Sequence, residues 1–411
     1  MEYQVTATRR RPQNLKQLSG QSFVQQTLHN ALNSGHIAHA YLFSGPRGVG
    51  KTSAARILAR ALNCEQGPTG TPCGECSNCR DILGGKAMDV IEIDGASHTG
   101  VDDIREIKDE VLYAPGSSRY KIFIIDEVHM LSNSAFNALL KTIEEPPEYI
   151  VFIFATTEIH KVPLTVRSRC QHYNFHLVSL EQIRQNLAEA CAEIGLEYRN
   201  EALIWVAREA KGSMRDAYTL FDQVISFCAG QPLTLELIRQ KMGLIAVDQL
   251  SKLCDALIDE NLETAIDLYQ QIINGGTSLE QLLVDLCDYL RALLLLQSGL
   301  NEQQLLLLLP YPSDHYSPKA LQSWDREQLC HILERCFTLY RNLRYSINEH
   351  FELELLLFEL SQLHYYRSGT RQLQRLEELT NRLQEGLPDY DGQHESPTAE
   401  IAGDKKKTLI A

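Results

Sequence analysis

An α/β domain built on a parallel sheet, then two all-helical domains and a short disordered tail, is the architecture that this sequence of 411 residues predicts. Three observations carry it. Short β-rich apolar runs alternate with helical patterns through the first 177 residues. Beyond them strand signals nearly vanish, and leucines recur at spacings of three and four. From Gly386 onward the chain is rich in Gly, Pro, Asp, Ser and Lys, a composition that does not build a core.

The strands expected in the first part are Ala40–Phe43, Val90–Ile93, Ile122–Ile125 and Ile150–Phe154, with helical patterns between them. Ser179 caps a helix expected over Leu180–Ile194, followed by helices over Asn200–Ala210 and Ser213–Phe227. From Leu235 to Arg367 the pattern is almost entirely helical, and the two helical domains join near Gly243. Leu305–Leu309 is a leucine run ended by Pro310 and reads as a buried helix. Arg371–Glu385 reads as one amphipathic helix with Leu373, Leu376, Leu379 and Leu383 on one side. The expected domains are therefore 1–177, 178–242 and 243–368, with a helix and tail over 369–411. There is no internal repeat.

Length suggests two to four domains, at about 100–200 residues each. No run reaches the roughly 18 apolar residues of a membrane span. Arg9-Arg10-Arg11 has no apolar segment behind it, so no secretory signal is expected. The net charge is −14, yet residues 1–60 carry eight Lys or Arg and one acid, Glu2. A local basic face of that kind serves nucleic acid, or else it is a solvated surface together with an anion pocket. Of eleven cysteines, four cluster and the rest are scattered through helical patterns, which fits reduced thiols in a cytosol.

Gly45-Pro46-Arg47-Gly48-Val49-Gly50-Lys51-Thr52 follows the first strand and opens a helix at Ser53. Gly, four residues, then Gly-Lys-Thr is the phosphate-binding P-loop, and the strand–loop–helix context gives it a mechanism. Glycines let backbone N–H groups curl around a phosphate, and the helix N-terminus adds positive potential. Lys51 reaches β- and γ-phosphates, and Thr52 offers a hydroxyl to Mg²⁺. A second site closes the strand Ile122–Ile125 with Asp126-Glu127-Val128-His129. This is a Walker B arrangement, with Asp126 toward Mg²⁺ and Glu127 toward the attacking water. Thr156-Thr157 ends the next strand and can hydrogen-bond the γ-phosphate or the water; plain capping is the alternative. Arg169, in Val166-Arg167-Ser168-Arg169-Cys170, suits a phosphate in a neighbouring subunit. Arg215, in Gly212-Ser213-Met214-Arg215-Asp216, is placed to swing onto a nucleotide, or is a surface arginine paired with Asp216 or Asp222.

Cys64, Cys73, Cys76 and Cys79 have the spacing of a closed tetrahedral thiolate shell, and Gly67, Pro68, Gly70, Pro72 and Gly74 supply the turns. Structural zinc is the expected metal, and iron–sulfur ligation is the competitor.

The order P-loop, four-Cys insert, Asp126-Glu127-Val128-His129, Thr156-Thr157, Ser168-Arg169-Cys170 and Gly212-Ser213-Met214-Arg215 resembles the clamp-loader ATPases of the AAA+ family, the gamma/tau subunits of bacterial DNA polymerase III. Further matching stretches are Arg11-Pro12, His39-Ala40-Tyr41-Leu42-Phe43-Ser44-Gly45, Phe136–Thr142 and Glu144-Glu145-Pro146-Pro147-Glu148. The resemblance covers about residues 1–365. It implies an AAA+ ATPase domain with a zinc insert over 64–79, a helical lid and a helical collar. It implies ATP, Mg²⁺ and Zn²⁺ as cofactors, with Lys51, Asp126, Glu127 and Arg169 catalytic. Residues 45–53, through Ser53, hold ATP with Arg11, Pro12, Thr156, Thr157 and Arg215; Thr52 and Asp126 hold magnesium. Arg169 acts in trans as a finger, Arg215 in cis as a sensor. The partners implied are the other subunits of a five-subunit ring, a sliding clamp and primer–template DNA, in the cytoplasm. The longer family form continues past residue 370 into helicase- and polymerase-binding domains, and the sequence leaves tethering of those partners open. The lysine run Lys405-Lys406-Lys407 fits a frameshift product or a plain solvated tail.

Two other classes are weighed and set aside. A helicase carrying Asp-Glu-x-His would need a second RecA-like lobe, where this sequence is helical. A non-hydrolysing ring subunit would lack the P-loop lysine or the Walker B glutamate, and Lys51 and Glu127 are both present. No polymerase acidic triad is visible.

Overall fold

The structure, a computed structural model, describes residues 5–386 except 98–99, 229, 243–244, 302–304, 306–307, 310–312 and 367–368. The chain forms two compact units, residues 1–244 and 245–411.

In the first unit five strands make one sheet: β1 Ala40–Ser44, β2 Val90–Asp94, β3 Lys121–Asp126, β4 Ile150–Thr156 and β5 Gln171–Asn174. Their order is β2-β3-β4-β1-β5 and every pairing is parallel. The central strands are buried on both faces, which is why they read as continuous apolar runs rather than alternating ones. Alternation survives in where each side chain goes. Tyr41, Phe43, Ile122 and Ile124 pack on one face with α2 (Ser22–Ser34) and α3 (Lys51–Asn63), after the short α1 (Thr6–Arg9). Leu42, Phe123, Ile125 and Phe154 pack on the other, against α5 (Val101–Val111) and α6 (Asn133–Glu144). Between these come α4 (Ser77–Leu83) in the cysteine insert and α7 (Leu164–Arg167) before β5.

β5 is absent from the sequence expectation. Three of its four residues are exposed and only Tyr173 is buried, because an edge strand needs little apolar signal of its own. It pairs with β1 from Tyr41↔Gln171 to Ser44↔Asn174. The P-loop helix also starts two positions earlier than the expected Ser53, at Lys51, with Gly50 as its N-cap at φ 104°.

Helices α8 (Leu180–Ile194), α9 (Asn200–Glu209), α10 (Met214–Cys228) and α11 (Leu235–Met242) complete the first unit around an apolar core of their own. Ser179 caps α8 by accepting the Gln182 amide, as the sequence expects.

The second unit is helical among the described residues: α12 (Val247–Ile258), α13 (Leu262–Asn274), α14 (Leu279–Leu296), α15 (Pro318–Ser323), α16 (Arg326–Asn342), α17 (Glu349–Ser361) and α18 (Gly369–Gly386). One apolar core holds α12–α17, with Trp324 buried in it. Of the leucine run, Leu309 is buried and Leu308 exposed, while Leu306, Leu307 and Pro310 lie outside the described residues. Leu373, Leu376 and Leu379 are exposed on α18. The tail beyond Gly386 also lies outside the described residues. No helix of the described residues is long and apolar enough to cross a membrane.

Candidate active site

The loop between β1 and α3 turns on glycines that no other residue replaces without strain. Gly45 sits at φ 143°, and a Cβ there would lie 2.3 Å from the Phe175 carbonyl oxygen. Gly48 sits at φ 76°, where a Cβ would lie 1.9 Å from Ser213 Oγ. Ser213 precedes α10, so the close approach at Gly48 is what lets the helical part seat on the loop. The Arg215 amide donates to the Gly48 carbonyl at 3.3 Å in the same contact.

Lys51 begins α3 and is only 6% exposed. Its ammonium donates to the carbonyls of Gly45 and Pro46, both at 2.8 Å. Burial lowers its pKa, and the Glu127 and Asp126 carboxylates oppose that shift. Thr52 donates its hydroxyl to Asp126 Oδ2 at 2.6 Å, across from the end of β3. The other Asp126 oxygen accepts the Glu127 amide at 2.9 Å. A hydroxyl and a carboxylate held this close form the hard oxygen pair that suits Mg²⁺.

Glu127 follows the strand in a left-handed conformation, φ 45° and ψ 45°. Its carboxylate crosses to the end of β4, where Oε2 accepts the Thr157 amide at 3.2 Å and the Thr157 hydroxyl at 3.0 Å. Thr156, fully buried, is engaged elsewhere: its hydroxyl meets His129 Nδ1 at 3.1 Å and accepts the Glu158 amide at 3.0 Å. The two threonines of one dipeptide therefore serve two different neighbours.

A cavity of about 950 Å³ opens over the loop, lined among others by Arg11, Pro12, Arg47, Lys51, Asp126 and Arg215. Arg11 donates through Nε to Ser53 Oγ at 3.2 Å. Its pKa is lowered by burial first, then by Arg56, with Arg215 contributing. Cations crowded around a loop of N–H groups make a site for a polyanion. Glycine cradle, lysine, Thr52–Asp126 pair and cavity thus fit a Mg²⁺–nucleoside triphosphate. Arg169 does not line this cavity. It pairs with Glu144 at 2.6 Å and donates to the Thr165 carbonyl at 2.7 Å, with its side chain 38% exposed.

The four cysteines converge as well. Their sulfurs all lie within 4.8 Å of one another, with Cys64 and Cys79 buried. The Cys73 amide donates to Cys64 Sγ at 3.5 Å, and the Cys76 and Cys79 amides donate to Cys73 Sγ and Cys76 Sγ at 3.4 Å. Hydrogen bonds from the Cys76 and Glu75 amides bring the Cys73 thiol down to about 6. Amide donors that favour thiolates, on sulfurs gathered about one point, fit a mononuclear tetrahedral metal with bonds of about 2.3 Å.

Three participants escaped the sequence reading. Ser213 was visible only as part of a Gly-Ser-Met-Arg string, with nothing to place it on Gly48. Arg10 and Tyr218 line the cavity, the guanidinium 6.0 Å from the ring centre, and Arg10 also pairs with Glu189 at 2.7 Å. The Arg9-Arg10-Arg11 run was legible, but not its division: Arg10 turns to α8 and Arg11 to α3.

A parallel sheet in this order, a glycine loop feeding α3, an acidic pair at the end of β3 and a helical cap seated on the loop define a P-loop protein of the AAA+ class. Three family models cover the chain: DNA polymerase III, delta subunit, over residues 20–179; DNA polymerase III clamp loader subunit, ATPase lid domain, over 182–230; and DNA polymerase III subunits gamma and tau domain III, over 233–376. The chain is 46% identical over 297 residues to DNA polymerase III subunit tau of Escherichia coli, covering 72% of this chain and 46% of that protein. It is 40% identical over 298 residues to DNA polymerase III subunit gamma of Buchnera aphidicola, covering 72% of this chain and 82% of that protein. Among solved structures, the Thermotoga maritima RuvB Holliday junction branch migration motor overlaps 61% of this chain and 80% of its own at 20% identity and a TM-score of 0.44. The chain belongs to the DNA polymerase III gamma/tau family. It spans about half the length of the first curated relatives it matches.

Proposed function

We propose that this chain is the ATPase motor subunit of a bacterial replicative clamp loader, hydrolysing ATP to open a sliding clamp and load it onto primer–template DNA. The observation that carries the reading is the convergence of Lys51, Thr52, Asp126 and Glu127 on one cavity over the glycine loop. In it Lys51 neutralises phosphate charge, Thr52 and Asp126 hold Mg²⁺, and Glu127 polarises water. Bound Mg²⁺ supplies charge neutralisation between the outer phosphates. Arg11, Pro12 and Arg215 hold the nucleotide from the N-terminal segment and from α10; Thr157 reports on the phosphate through its tie to Glu127, and Thr156 through His129. The ring neighbours, the clamp and primed DNA are the partners, and the cytoplasm is the compartment. Nucleotide addition is not assigned to this chain.

The test is the ATPase rate of the purified chain, assembled with its ring partners, with and without primed DNA and clamp. A rate that rises when both are added supports the reading. Absence of any ATP turnover overturns it.

Cys64, Cys73, Cys76 and Cys79 hold one structural Zn²⁺ in this reading. Sulfurs within 4.8 Å support one metal ion over a multi-iron cluster, which would stand its thiolates farther apart. Elemental analysis is expected to return about one zinc per chain. Chelation is expected to expose residues 64–83 to proteolysis while leaving ATP affinity in place. Iron in stoichiometric amount, or a disulfide among the four in reducing preparations, would count against zinc.

A further inference from the structure

We infer that His129 is a positioning residue for Glu127, fixing which carboxylate oxygen acts on water. This rests on the proposed ATPase reading and adds a residue to it.

His129 lies on a one-turn 3₁₀ helix, Val128–Met130, after β3. Its side chain is 7% exposed, and both ring nitrogens face oxygen. Nδ1 lies 3.1 Å from Thr156 Oγ1 and 3.3 Å from Glu127 Oε2. Nε2 lies 3.3 Å from Glu158 Oε1. Glu158 Oε1 also accepts from Lys161 at 3.0 Å, so the far side of the ring meets a carboxylate that has a cation of its own. Packing alone would not require a polar ring here. An apolar side chain of similar volume would fill the space between the ends of β3 and β4 and leave Thr156 and Glu158 without this partner.

What the ring does follows from the backbone of Glu127. A left-handed φ of 45° is unfavourable for a residue with a Cβ, and such conformations persist only where surrounding contacts impose them. Three groups meet Glu127 Oε2: the Thr157 amide and the Thr157 hydroxyl by hydrogen bonds, and His129 Nδ1 at 3.3 Å. With Oε2 tied to the end of β4, Oε1 is the oxygen left to polarise water. His129 also joins Thr156 to the same network, so the threonine pair and the glutamate are set as one unit. Outer-shell groups that orient a metal ligand typically cost about 10- to 100-fold when removed, and a loss of the same order is expected for a group that orients Glu127.

The experiment compares wild type, Glu127→Gln, His129→Ala, His129→Leu and His129→Gln, each assembled with its ring partners. Steady-state turnover, affinity for a fluorescent ATP analogue and the thermal midpoint are measured for each. The expected result is a fall in kcat of about 10- to 100-fold for His129→Ala and His129→Leu, at unchanged analogue affinity and near-unchanged midpoint. His129→Gln should recover part of the loss, since its amide can donate to Glu127 or Thr156. Wild-type kcat in His129→Leu, with Glu127→Gln inactive, overturns the inference and leaves the ATPase reading standing. Equal losses of affinity, midpoint and kcat, with no recovery in His129→Gln, make the ring a packing element and also overturn it. A wild-type protein without turnover overturns the ATPase reading and this inference with it.

Discussion

Arg169→Ala is expected to lose about 10³–10⁵ in ATP turnover while still binding ATP and still assembling. The finger role and its trans character both come from the family resemblance. In its own chain Arg169 does not line the nucleotide cavity; it is held at the surface by Glu144 and by the Thr165 carbonyl. An exposed pair of this kind contributes little to stability, at most about 1 kcal/mol, so the variant should fold normally. The loss should therefore fall on the pocket that the mutant chain faces and not on its own. Mixing Arg169→Ala with Lys51→Ala chains checks this, because some interfaces then join an intact pocket to an intact finger. Recovery of turnover in the mixed rings is expected. No recovery, together with lost ATP binding by isolated Arg169→Ala, would show a cis residue.

Lys51→Ala is expected to abolish ATP binding, and Glu127→Gln to retain binding and stop turnover. The two residues sit differently. Lys51 is buried against the loop itself, with its ammonium on the Gly45 and Pro46 carbonyls, and in the proposed reading it is the group that meets phosphate directly. Removing it leaves cationic help from the arginines and Lys16 around the cavity. Glu127 touches Thr157 and His129 rather than the loop, so its amide replacement leaves the phosphate cradle intact. Analogue affinity and single-turnover hydrolysis separate the two effects. Equal loss of affinity in both variants would refute this division of roles.

Much of this molecule is decided by local pattern. A strand buried on both faces must be apolar throughout, so β1, β3 and β4 announce themselves as unbroken runs, and their helices follow at a period near 3.6. The P-loop and the cysteine insert are also local in sequence: each motif lies within one short segment, and glycine spacing or thiol spacing states the chemistry outright. β5 is not local in this sense. Its edge position relieves three of its four side chains of any need to be apolar, so only pairing with β1 reveals it.

The relations between segments belong to the tertiary structure. Ser213 reaches Gly48, Thr157 reaches Glu127 and Arg11 reaches Ser53 across stretches whose separation no periodicity encodes. The sequence by itself determined which chemical groups this chain possesses and, for β1, β3 and β4, which strand carries them. Which oxygen of Glu127 is tied, which of three consecutive arginines turns to the loop, and that Arg169 stands outside its own cavity were decided only when the sheet brought the ends of β1, β3 and β4 together. Side-chain contacts form where backbones converge in space, and that convergence is a property of the packed core.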